Sequence, residues 1–384
     1  MMKAVRFHGK EDIRIDEIPI PVCGKGQVKV KPAFAGICGS GTIISAHIGT
    51  PTILESLADM FIFCPDLHEF LGGASLIPVV PHPITNEQAP LTLGHEFSGT
   101  IKEVGEGVDD IKVGDRVTVQ PIIYDGTCAA CKEGYINCCE SNGFVGLSGW
   151  GGGLSEYCVV PRASVYTVPE SIPLDVAAYF IEAVLALALV EPLAVGWHAV
   201  KRSPFKKGDA ALVLGGGPIG LAVILALKAK GADNIIVSEI APMRKDYAKQ
   251  FGADHVVDPS KEDIVVRVKE ICGGVGVNIV YDAAGVQPAL DAAILALRAR
   301  GTFVNIAVWE KKATIWPRER TYMGITTYLE GDYREVLDAI ESGSMQPGSM
   351  ITKKIKMADV VEEGFKCLIN EKDRQVKVMI DLSS

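Results

Sequence analysis

From Met1 to about Tyr166 the chain is built of short alternating runs of apolar and polar residues. Examples are Gln27–Lys31, Ser98–Val104 and Arg116–Gln120, separated by glycines and prolines. A period of two places every second side chain on one face, so this stretch is expected to be β-rich. From about Ala210 the texture changes. The apolar run Ala210–Leu214 leads into a glycine turn, then a helical stretch Leu221–Lys230, then a second apolar run Ile235–Ser238. Continuous apolar strands joined through a helix form a βαβ unit, because parallel strands require a crossover. Further strands are expected at His255–Val257, Asn278–Tyr281 and Thr302–Ala307, with a helix over Asp291–Ala299. This predicts a doubly wound parallel sheet. A helix near Tyr333–Ser342 and a strand at Val376–Asp381 close the chain, and this tail is expected to return to the first domain.

Composition narrows the picture. With 384 residues, 48% apolar and 22% charged, the chain is long enough for two substantial cores. The net charge of −9 argues against nucleic acid or anionic membrane as a partner, since phosphate surfaces attract an excess of Lys and Arg. A small-molecule substrate fits better. Met1–Arg6 carries no apolar stretch suited to a secretory signal. The longest apolar region, Val176–Val200, is broken by Glu182, Glu191 and His198, so no membrane span is expected and the expected compartment is the cytoplasm. Four of the ten cysteines crowd between Cys128 and Cys139, which in a large chain without a signal points to metal binding rather than disulfides.

Gly215-Gly216-Gly217-Pro218-Ile219-Gly220 satisfies G-x-G-x-x-G between a strand and a helix. The first glycine permits a tight turn, the second admits a pyrophosphate to the backbone, and the third lets helix pack on strand. Glu239 follows Gly220 by 19 residues, at the end of the next strand. A carboxylate there accepts hydrogen bonds from both ribose hydroxyls and repels a 2′-phosphate, which favours NAD over NADP. The candidate cofactor residues are Gly215, Gly217, Pro218, Ile219, Gly220 and Glu239, together with Arg244 and Asn305.

Cys38 in Gly36-Ile37-Cys38-Gly39-Ser40 and His95 in Gly94-His95-Glu96 offer a thiolate and an imidazole, donors that zinc prefers. Two carboxylates accompany them, Glu96 directly after the histidine and Glu191 before a proline in an apolar segment. Their burial would be costly without a cation. Three protein ligands and one open position define a catalytic zinc, and the residues alone do not rank Glu96 against Glu191.

These segments, followed by Glu191-Pro192-Leu193 and the glycine loop, stand in the order seen in medium-chain zinc dehydrogenases, which the chain resembles over nearly its whole length. Pro81-His82-Pro83, Leu91–Gly99 and Gly143–Leu147 leading into Gly151-Gly152-Gly153 are most similar to the 2,3-butanediol dehydrogenases among them. The resemblance implies a GroES-like catalytic domain over residues 1–192, a Rossmann NAD-binding domain over 193–328, and a return to the catalytic domain over 329–384. It implies NAD-linked oxidation of a secondary alcohol, with 2,3-butanediol to acetoin as the leading reaction and a sorbitol- or threonine-type polyol reaction as the alternative. It also implies a homo-oligomer, dimer or tetramer. Cys128, Cys131 and Cys139 match the last three positions of the family's structural-zinc loop, whose first cysteine is replaced here by Asp125.

In the resemblance, Ser40 and His68 relay the proton. Here 25 extra residues, Gly41 to Pro65, come between them. Without that segment the chain would read Gly-Ile-Cys-Gly-Ser-Asp-Leu-His-Glu-Phe, a run typical of the butanediol dehydrogenases. Gly41 can be encoded GGT and Pro65-Asp66 CCAGAY, which would open an intron at GT, close it at AG and restore Asp. The segment therefore reads as an unspliced intron, with a genuine functional loop or a catalytically impaired NAD-binding protein as alternatives. A shorter surplus lies near Tyr179–Ala188.

Overall fold

The computed structural model describes residues 1–39, 65–168, 187–309, 312–316 and 318–383. The chain divides into two compact units. One comprises Met1–Glu191, Leu329–Glu341 and Pro347–Ser384, and the other comprises Pro192–Tyr328 and Ser342–Gln346. Gly41–Cys64 and most of the Tyr179–Ala188 surplus lie outside the described residues.

The first unit is β-rich. Its central strand Gln27–Gly36 alternates as expected, burying Val28, Val30 and Phe34 beneath half-buried Lys29 and Lys31. Each such buried apolar side chain contributes about 1.5–3 kcal/mol. This strand pairs antiparallel with Glu96–Val104 and with Lys377–Asp381, so the chain's tail joins the sheet begun by its head. The remaining ladder is Arg116–Val119 and Val165–Thr167 on one side and Ile351–Lys356 on the other, and Cys158–Pro161 also pairs with Gln27–Gly36.

The second unit is a six-stranded parallel sheet. Its spatial order is His255–Val257, Asn234–Ser238, Ala210–Leu214, Val277–Asp282, Leu297–Asn305, Thr321–Gly324. The order reverses beside Ala210–Leu214, the doubly wound arrangement of dinucleotide-binding sheets. Leu212, Leu214, Ile236, Val280 and Phe303 belong to one buried core.

Several boundaries differ from the sequence reading by a few residues, and two of them have a clear cause. The helix expected over Asp291–Ala299 spans Gln287–Ala296, because Leu297 already pairs with Val277 and starts the next strand. Pairing to a neighbour overrides the helical preference of an alanine-rich segment. The strand expected to reach Ala307 ends at Asn305, and the N–H groups of Ile306 and Ala307 donate instead to the Asp282 carbonyl.

Candidate active site and metal centres

The register of one ladder assembles the first site. Gly36 lies opposite Glu96, so Cys38, two residues past the strand, meets His95 at the start of its partner. Gly36 is required there, since a side chain would overlap the Glu96 carboxylate. The donor atoms of Cys38, His95 and Glu96 all lie within 4.8 Å of one another, and all three residues are buried. Glu191, in the first turn of the helix Val190–Arg202, is also buried but stands outside this grouping.

Two further groups surround the cluster. Asp66 Oδ2 accepts the Cys38 N–H at 3.0 Å, while Oδ1 lies 3.5 Å from His95 Nδ1. At that distance charge attraction operates without a well-formed hydrogen bond, and both Asp66 Oδ1 and His95 Nδ1 are buried without a hydrogen-bond partner. From the opposite side Lys377 Nζ donates to Glu96 Oε1 at 2.8 Å and Oε2 at 2.7 Å, with both residues almost fully buried.

The electrostatics reveal a shortage of positive charge. Burial works to lower the His95 pKa, yet Asp66 and Cys38 raise it well above its ordinary value. Burial likewise opposes charge on Lys377, and Glu96, Cys38 and Glu191 together raise its pKa. A dry cluster of soft sulfur, imidazole and carboxylate that holds protons so tightly suits a divalent cation. Zinc matches this donor set.

The segment's two sides meet at this site. Cys38 bonds Asp66 as above, and Leu67 N–H donates to the Cys38 carbonyl at 3.3 Å. His68 is half-buried on the helix Pro65–Gly72, while Ser40 lies outside the described residues.

A second cluster sits within Asp125–Cys139. Asp125, Cys128, Cys131 and Cys139 bring their donor atoms within 4.8 Å of one another, and only Cys139 is fully buried. Cys128 caps the short helix Ala129–Lys132, its sulfur accepting the Cys131 N–H at 3.5 Å. Asp125 Oδ1 accepts the Cys128 N–H at 2.8 Å, and with the Thr127 N–H these bonds lower its pKa to about 2. Burial and the neighbouring Cys128 push the Cys131 thiol up to about 12, so a cation is needed to displace its proton. Cys138 is exposed and outside the grouping.

In the second unit, Gly215 adopts φ +92° at the end of Ala210–Leu214, and Gly217 precedes the helix Pro218–Ala229, whose first turn holds Ile219. At Gly220 a side chain would overlap the Gly215 carbonyl. Glu239 is buried. Its Oε2 accepts the Gly216 N–H at 2.7 Å, and Oε1 accepts those of Ile240 at 2.7 Å and Ala241 at 2.8 Å. The carboxylate is thus anchored to the glycine turn itself. Arg244, on the helix Pro242–Gln250, lies beside Gly216 and Gly217, and Asn305 ends its strand.

Residues 24–170 match the alcohol dehydrogenase GroES-like domain and residues 218–342 the zinc-binding dehydrogenase domain. The chain is 42% identical over 386 aligned positions to (R,R)-butanediol dehydrogenase of Bacillus subtilis (strain 168), covering 99% of each. It is 38% identical to (R,R)-butanediol dehydrogenase of Neisseria gonorrhoeae, again with 99% of each covered. The chain belongs to the zinc-binding alcohol dehydrogenases. The crystal structure of 2R,3R-butanediol dehydrogenase from Bacillus subtilis superposes with a TM-score of 0.85 over 99% of both chains at 42% identity.

Within this zinc-binding dehydrogenase two site neighbours escaped sequence reasoning. Asp66 carried a signal, because it opens the segment that resumes the interrupted motif. Lys377 carried little: it is a lone cation in a buried strand, 281 residues from its partner Glu96. Among the described residues no helix is long and apolar enough to cross a membrane.

Proposed function

We propose that the chain oxidises 2,3-butanediol to acetoin, reversibly and with NAD, and acts as a cytoplasmic homo-oligomer. The observation that carries the reading is the buried Cys38–His95–Glu96 cluster in a chain 42% identical to a butanediol dehydrogenase. Cys38 and His95 would hold the catalytic zinc, with Glu96 as the third donor and Glu191 in reserve nearby. Held there, zinc would supply Lewis acidity toward the alcohol hydroxyl and NAD would supply the hydride acceptor.

The remaining work falls to side chains. Asp66 orients both the Cys38 backbone and the His95 ring, as carboxylates commonly do behind a ligating histidine. Lys377 balances Glu96 and limits the net charge of the pocket. Ser40 and His68 carry the alcohol proton to solvent. Glu239, already anchored on Gly216, accepts the adenosine ribose hydroxyls and selects NAD, while Arg244 and the Gly215–Gly220 turn receive the phosphates and Asn305 stands on the nicotinamide side. Asp125, Cys128, Cys131 and Cys139 would hold a second, structural zinc.

The deciding experiment follows NADH absorbance with (2R,3R)-butanediol, acetoin, sorbitol and threonine. Turnover highest on butanediol and acetoin supports the reading. NAD binding without turnover on any of them overturns it. Light scattering on the eluting protein checks the oligomer.

A further inference from the structure

The strand order of the parallel sheet reverses between Ala210–Leu214 and Val277–Asp282. An open sheet of this kind binds ligands outside the carboxyl ends of its strands at such a reversal. Asp282 ends its strand directly beside Leu214, and Gly215 follows Leu214. It is 1% exposed, and a buried carboxylate is costly unless its hydrogen bonds return that cost.

Those bonds join two segments. Asp282 Oδ1 accepts the N–H groups of Ala284 at 2.9 Å and Gly285 at 3.0 Å. Trp309 Nε1–H donates to Asp282 Oδ2 at 3.1 Å and to Asn305 Oδ1 at 2.9 Å. The Asp282 carbonyl accepts from Ile306 at 3.0 Å and Ala307 at 2.8 Å. At Gly285, which has φ +65°, a side chain would lie 2.6 Å from the Val308 carbonyl, so the two segments touch backbone to backbone. Trp309 also packs against the core of the sheet.

We infer that Asp282 and Trp309 form a latch that positions Ile306–Val308 as the wall of the crevice on the nicotinamide side of the dinucleotide. The inference rests on the reading of Gly215–Gly220 as a dinucleotide turn. Both are positioning residues: they act by placing the wall, whose Ile306 and Ala307 N–H groups are already spent on Asp282. The latch should matter for the nicotinamide half of the ligand and be indifferent to the adenosine half.

Calorimetric titration of the full chain with NAD and with AMP separates the two halves. In Trp309→Phe, which keeps an aromatic ring and removes the N–H, NAD should bind about tenfold more weakly, because binding must then re-order a wall that the latch no longer holds in place, with AMP affinity unchanged. Asp282→Asn, which turns an amide donor against the indole N–H, should give the same split. Should that variant fail to fold, Trp309→Phe decides alone. Equal weakening of NAD and AMP in Trp309→Phe would mean general loosening of the unit and overturn the latch, as would unchanged NAD affinity. Wild-type chain that binds neither ligand would overturn the reading of the glycine turn, and the latch with it.

Discussion

The two thiol-bearing clusters of the first unit use similar donors in opposite surroundings. Cys38, His95 and Glu96 are buried at the adjoining ends of two paired strands, with Asp66 and Lys377 arriving from elsewhere in the chain. Asp125, Cys128, Cys131 and Cys139 come from one loop, are mostly half-exposed, and lean on nearby backbone N–H groups. Burial is the difference that matters. Water and backbone can stabilise charge in the loop, whereas the buried cluster must carry its own counter-charges and keeps a dry space in which a Lewis acid is effective. On the proposed reading, this contrast gives chemistry to the buried cluster and stability to the loop cluster.

The hardest test of that division removes ligands from the buried cluster. Cys38→Ala and His95→Ala should each lower turnover by at least about a thousandfold, because several kcal/mol of charge stabilisation disappear. Affinity for NAD should stay near wild type, since the glycine turn and Glu239 belong to the other unit. Steady-state rates, zinc content by elemental analysis and NAD titration check both halves. Full activity with full zinc in these variants would erase the contrast.

Charge balance provides the next largest effect. Lys377→Met leaves the Glu96 carboxylate buried and unpaired, and the zinc-free chain should lose about 3–5 kcal/mol of stability in urea. Asp125→Ala, at the exposed cluster, should cost the zinc-free chain far less. Equal losses in the two would mean that burial does not distinguish the sites.

A smaller change is expected one step from the ligands. Asp66→Asn keeps the shape but removes the charge facing His95, and metal affinity should fall by about 10–100-fold in competition with a chelator. Unchanged affinity would show that the 3.5 Å approach contributes nothing.

For the loop cluster the readout is thermal. Cys131→Ser should lower the melting temperature of the zinc-loaded chain by several degrees, with turnover per folded molecule retained. Lost turnover at normal stability would exchange the roles of the two clusters.

The mildest change concerns the segment between the two halves of the buried site. A chain lacking Gly41–Pro65 should oxidise butanediol severalfold faster, because Ser40 would directly precede Asp66, and transcript sequencing should find the shorter message dominant. The hydrogen bonds from Cys38 and Leu67 across the interruption already hold its flanks together. Slower turnover in the shortened chain would favour a functional loop, and genomic DNA lacking GT at Gly41 or AG across Pro65-Asp66 would exclude the intron.

Local patterns made much of this molecule legible. Period-two alternation over Gln27–Lys31 located the first half of the strand Gln27–Gly36, and the strands Ala210–Leu214 and His255–Val257 were located to the residue. The crowded cysteines pointed to a metal in the loop and the family resemblance picked out its four donors, which lie close together in sequence. The helix before Leu297 was drawn too long, since its end is decided by pairing with Val277, a contact invisible to a local window.

By itself the sequence determined most of the elements, the glycine turn with its acid, and the soft donors that zinc would prefer, all of which depend on residues near one another in the chain. Tertiary structure alone decided that Glu96 rather than Glu191 groups with Cys38 and His95, that Lys377 covers Glu96, and that Asp282 holds Trp309. Strand register and sheet order make those choices. They bring together side chains far apart in sequence, and the energy of a buried charge depends on what surrounds it on every side.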